Sequence, residues 1–196
     1  LAPSLLMMMT SFTRIIVVLS LLRNALGTQQ TPPNSVLISL GLFLTFFIMQ
    51  PVFEKSYYEG IKPLIDDEIP EDEAIIKIAQ PFHDFMFRNT RDSDLMLFID
   101  MVEQNEGPID IKEQADVPYR ALIPAFMISE LRRAFEIGFL VFVPFLIIDM
   151  VIASILMSMG MMMLPPVLIS LPFKIIFFVL IDGWAMLSES LIQSFA

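Results

Sequence analysis

Apolar residues dominate four stretches of the chain: Leu1–Leu22 with Arg14 set into it, Val36–Phe53, Ile137–Met159 and Val167–Leu187. Each approaches the roughly 20 residues that a helix needs to cross a hydrocarbon core. Turn-forming sequence separates the first two, from Gly27 through Pro32-Pro33 to Asn34, and the last two, from Met163 through Pro165 to Pro166. The pattern predicts two long helical hairpins. Between them the apolar spacing becomes helical and half-polar. Pro70 followed by Glu71, Asp72 and Glu73 predicts a helix start, because acids suit the positive end of the helix dipole. Ile75, Ile78 and Ala79 then form its expected buried stripe. A second central helix is expected after Arg91-Asp92-Ser93-Asp94, with Leu95, Phe98, Met101 and Val102 on one face. Gly107-Pro108 breaks the chain, and Pro118 to Pro124 leads into the next helix. No sustained alternation predicts a strand.

The expected architecture is an all-α membrane protein in three regions. Residues 1–53 form the N-terminal apolar hairpin, 54–136 a central acidic helical region, and 137–196 a C-terminal apolar hairpin with a Met-rich loop. Composition agrees with that class. Of 196 residues, 56% are hydrophobic and 17% charged, and mean hydropathy is +0.70. A water-soluble globule of this size has too little interior to hide that apolar surface. A soluble enzyme, a disordered tail and a disulfide scaffold are excluded, the last because cysteine is absent.

The net charge of −10 lies wholly between Glu54 and Glu136, which holds 19 acidic and 9 basic residues. The flanks balance Arg14, Arg23 and Lys174 against Asp149, Asp182 and Glu189. Nucleic acid is not an expected partner, since phosphate requires a concentrated cationic surface. Arg23 is the one charge in the first short loop. Taken as cytoplasmic, it places both termini and the central region on the extracytoplasmic side. The chain begins with Leu1, as a removed front segment or a late start would give.

Little in the sequence suggests catalysis. His83 lacks a second histidine or a cysteine, and its neighbour Asp84 points elsewhere on a helix, so an ordinary helix-surface or interface histidine is expected. The acids Asp66–Glu68 and Glu71–Glu73 lack the spacing and glycine turn of a calcium loop. No phosphate loop or nucleophile elbow is present. The expectation is a non-enzyme without metal or cofactor.

Charges and prolines interrupt the apolar stretches. Pro144 and Asp149 stand in the third, and Pro172, Lys174 and Asp182 in the fourth. A charge at mid-bilayer costs about 2.5–3.5 kcal/mol, so these residues should face protein or water. Two readings of Asp149 and Asp182 stand: a proton or ion relay, or structural acids paired with Lys174 or Arg14 or bonded to backbone between subunits. Methionine is the other signal. Fifteen are present, clustered at Met7–Met9, Met157, Met159 and Met161–Met163. Flexible methionine specifies packing poorly. It suits side chains that seal a pore yet yield to varied cargo, and equally a loop that dips into lipid.

Long segments then resemble one family: Ser11 to Gly27 (SFTRIIVVLSLLRNALG), Pro124 to Gly138 (PAFMISELRRAFEIG), Pro144 to Ser154, Gly160 to Pro166 (GMMMLPP), Leu171 to Ile175 and Asp182-Gly183-Trp184. Together they resemble the FliP family of flagellar type III secretion export-gate proteins, across essentially the whole chain. Only the stretch from Asn105 to Asp116 matches no family motif. The resemblance implies a helical ring-like assembly of about five copies with FliQ and FliR, near FlhB and FlhA. It implies passage of unfolded flagellar subunits through the lumen, in the flagellar basal body of the bacterial inner membrane. Members usually carry a cleaved signal peptide, and much of their helical bundle is raised out of the bilayer. By the same resemblance Met161, Met162 and Met163 form the pore gasket, and Phe85 and Phe98 contribute an aromatic constriction above it. Arg14, Asp149, Lys174 and Asp182 remain assembly or relay candidates. Two alternatives stand beside this: the homologous gate subunit of a virulence injectisome, and a proton-coupled secondary transporter using Asp149 and Asp182.

Overall fold

The structure is a computed structural model that describes residues 7–195. Residues 1–6 of the first apolar stretch, and residue 196, lie outside the described residues. All regular elements among the described residues are helical: α1 (Phe12–Leu26), α2 (Asn34–Ser56), a π-helical turn (Tyr57–Ile61), α3 (Lys62–Ile65), α4 (Glu71–Asn89), α5 (Asp92–Glu106), a 3-10 turn (Gln114–Asp116), α6 (Tyr119–Ser158), α7 (Pro166–Leu180) and α8 (Gly183–Gln193). The protein is an all-α chain whose helices suit a membrane. Asn34–Ile65, with 32 residues, and Tyr119–Ser158, with 40, are each long and apolar enough to cross one.

Two of the expected stretches differ in form. The third is not a separate span: as far as Ser158 it continues the helix that begins at Tyr119, in the expected Pro118–Pro124 lead-in. A change from charged to apolar composition does not stop a helix, and this one continues through Pro124 and Pro144 although neither has an N–H to donate. The fourth is not one helix. Asp182 adopts a left-handed conformation (φ 52°, ψ 48°), and α7 and α8 meet there at a 63° bend.

The chain forms two compact units. The first comprises, among the described residues, 7–13 and 45–132. In it the π turn brings Gly60 against α4, where a Cβ would stand 2.9 Å from the Ile78 nitrogen. Ser56 Oγ donates to the Ile78 carbonyl at 2.9 Å, fixing the same approach. The side chains buried here include Met49, Ala74, Phe85, Met86, Leu122 and Phe126. Of the expected stripe on α4, Ile78 and Ala79 are half-buried but Ile75 is 64% exposed, while Ala74, Pro81, His83 and Phe85 turn inward. Ser129 Oγ on α6 accepts from the Arg91 nitrogen at 3.0 Å and donates to Asp94 Oδ2 at 2.7 Å, docking the start of α5.

The second unit comprises, among the described residues, 14–44 and 133–195. Its buried apolar residues are Ile15, Val18, Leu19 and Leu22 of α1, with Phe145, Phe178 and Leu191 among their counterparts. Phe178 packs edge-on to Trp184 with ring centroids 5.3 Å apart. Gly183 leaves room for that ring, since a Cβ there would collide with Phe178. Burial of aromatic area on both sides of the bend holds the α7–α8 corner.

Candidate functional site

The loop between α6 and α7 is clamped at both ends and open in the middle. Gly160 takes φ 74°, a conformation costly for residues with a Cβ. The Met161 nitrogen then donates to the Leu156 carbonyl at 2.9 Å, and the Gly160 nitrogen to Met157 at 3.0 Å. These two bonds form a Schellman stop for α6. On the far side Pro165 precedes the helix and Pro166 occupies its first turn, where a missing N–H costs nothing. Between the clamps Met161, Met162 and Met163 are 41%, 83% and 97% exposed. Three adjacent thioether side chains thus project from a pinned backbone, with Met163 almost wholly free of the chain itself.

A buried ionic cluster lies within the same unit. Lys174 Nζ of α7 sits 2.6 Å from Asp149 Oδ2 of α6, and Lys174 is 2% exposed. The ammonium also donates to the Ala25 carbonyl at the end of α1, at 3.2 Å. Fully buried Ser170 donates its hydroxyl to Asp149 Oδ1 and also reaches the Val167 carbonyl at 3.1 Å. The cation on α7 therefore bonds to groups on two other helices, α6 and α1. Lys174 is the partner expected for Asp149 from sequence, whereas Ser170 and the Ala25 carbonyl are not foreseen there. A backbone acceptor leaves no residue-type signal.

Arg14 is fully buried on α1. Its guanidinium donates to the carbonyl and hydroxyl of Ser194 at 2.8 and 2.9 Å, and lies 3.5 Å over the Phe195 ring. This joins α1 to the end of α8 by hydrogen bonds and a cation–π contact. Asp182, by contrast, is exposed and stands at the α7–α8 bend. The structure thus separates the two acids: Asp149 belongs to a buried pair, and Asp182 to a helix junction.

In the first unit Phe85 is 4% exposed and packs edge-on to Phe126, with centroids 5.9 Å apart. Phe98 on α5 is half-buried. His83, expected on a helix surface or an interface, is 2% exposed. Its Nε2 lies 2.9 Å from the Val117 carbonyl, and its ring meets Tyr119 edge-on. It fastens the turn before α6 to α4. Among the described residues no group of three or more acids and histidines is placed to hold a metal. At Asp116 the backbone N–H groups of Glu113 and Lys112 hold the carboxyl below the usual carboxylate range, at 2.9 and 3.0 Å.

With this geometry in place, comparison with known proteins is informative. The sequence model of the FliP family matches residues 1–191. The flagellar biosynthetic protein FliP of Rhizobium meliloti (strain 1021) is 52% identical over 99% of this chain and 78% of its own length. That of Bacillus subtilis (strain 168) is 56% identical over 99% of this chain and 86% of its own length. Both matches extend over nearly the whole of this chain.

Proposed function

Since the chain belongs to the FliP family, we propose that it is a pore-forming subunit of the flagellar type III protein export gate. It conducts unfolded flagellar subunits across the bacterial inner membrane, without being an enzyme. The observation that carries this reading is the pinned loop with Met161–Met163 projecting from it. A soluble or self-sufficient fold would bury such side chains, at about 25 cal/mol per Å² of apolar area. Left outward on a clamped backbone, they are available to meet the same residues of neighbouring copies. A ring of about five such loops closes an opening with flexible thioethers, which adapt to many passing side chains.

Other exposed apolar surfaces support an assembled state. Phe43 and Phe46 on α2, and Phe139 and Leu140 on α6, are each at least 66% exposed. Their natural covers are lipid, sister copies and the partners FliQ and FliR, with FlhB and FlhA beside the gate. The central region and termini then lie on the periplasmic side of the flagellar basal body. For the aromatic constriction Phe98 is the better candidate, because the Phe85 ring is already occupied against Phe126. The flagellar branch is preferred to an injectisome, since the two relatives compared above carry flagellar names.

A photo-crosslinking amino acid at position 162 tests this reading in the assembled complex. With an export substrate arrested in transit, the account expects crosslinks to the substrate chain. Absence of substrate crosslinks, with the arrested substrate demonstrably present, would refute it.

A further inference from the structure

We propose that the α6–α7 loop is an oxidation-sensitive site, at which peroxide-class oxidants convert Met162 and Met163 to sulfoxides and loosen the closure. The loosening rests on the gasket reading above; the oxidation itself rests on the geometry. A thioether reacts in proportion to its access to oxidant. Met162 and Met163 are 83% and 97% exposed, whereas Met49 and Met86 are fully buried. On the gasket reading, exposed methionines on the apolar helices, such as Met150 and Met157, stand on faces for lipid or sister subunits to cover. On the same reading the loop methionines instead face an aqueous passage, on a backbone whose ends Gly160 and Pro165 pin.

The chemistry balances without help from the protein. A sulfur lone pair attacks one oxygen of hydrogen peroxide, an S–O bond forms and the O–O bond breaks. The proton on the transferred oxygen passes to the departing hydroxide, giving water. Sulfur loses two electrons and the peroxide gains them. The product is a polar, chiral group in place of a flexible apolar one, and methionine-rich contacts are disrupted by that change. Three adjacent sulfurs in every copy multiply the effect around a ring. Leucine would close the same opening without this sensitivity.

The test uses the assembled complex in inner-membrane vesicles, treated with graded hydrogen peroxide. Peptide mass spectrometry follows one added oxygen at each methionine, while a fluorescent dye follows ion leak. The account expects Met162 and Met163 to oxidise about tenfold faster than Met49 and Met86. Leak should rise with loop oxidation and fall again after treatment with methionine sulfoxide reductases. In the variant carrying Met161→Leu, Met162→Leu and Met163→Leu, leak measured before and after peroxide should not change. Equal oxidation of loop and buried methionines would overturn the site assignment. Loop oxidation with constant leak would overturn the loosening. The gasket reading fails separately, if glycine at the three positions leaves the untreated complex sealed.

Discussion

Lys174 Nζ and Asp149 Oδ2 lie 2.6 Å apart, yet the two side chains are unequally buried, at 3% and 26% exposure. The asymmetry predicts unequal mutational costs. Asp149→Leu leaves an ammonium buried against the Ala25 carbonyl and should destabilise by about 3 kcal/mol, near the lower end for breaking buried pairs. Lys174→Met leaves the more accessible carboxylate, still bonded to Ser170, and should cost less. The double variant removes both charges and should recover much of the loss. Thermal unfolding of the purified complex measures all three. A relay role instead predicts that the double variant assembles, stays stable and loses proton-driven export.

Gly183→Ala should disturb the bend between α7 and α8. Its Cβ would enter the space of the Phe178 ring, which also contacts Phe145 and Trp184. Overpacking of this kind costs about 1–3 kcal/mol. Lower thermal stability with a changed Trp184 fluorescence spectrum is the expected result.

The 3-10 turn at Gln114–Asp116 should loosen in acid. Backbone donors from Glu113 and Lys112 depress the Asp116 carboxyl. A carboxylate with a folded-state pKa below its unfolded value stabilises the turn above the unfolded range. That contribution disappears as pH falls through the lower, folded value. Amide protection at Lys112 and Glu113 should therefore drop below about pH 4, where ordinary aspartates protonate. In Asp116→Asn the drop should be absent.

Much of this fold is written in local sequence. Gly27 to Asn34 and Met163 to Pro166 mark helix ends by turn chemistry, and the structure stops α1 and begins α7 there. The Met161–Met163 loop is legible for the same reason, as a cluster set between Gly160 and Pro165. Other features depend on distant partners. Asp149 lies nine residues before the end of α6, and Lys174 eight after the start of α7, so an antiparallel hairpin can pair them. That near-equal spacing from the loop is the available signal. The Asp182 break is harder to foresee, because it follows an apolar run without proline from Ile175 to Ile181. Asp tolerates the left-handed conformation, and Gly183 behind it admits Phe178. Phe85 and His83 read as surface or lumen residues until α6 supplies Phe126 and the turn before it supplies Val117.

The most direct test of the gate is ion permeability of the assembled complex with Met161, Met162 and Met163 all replaced by glycine. The loop lies outside the buried contacts of the chain, so assembly should persist, as native mass measurement would verify. The account predicts a clear rise in small-ion leak across membranes carrying this complex. Unchanged permeability in a correctly assembled mutant complex would contradict it.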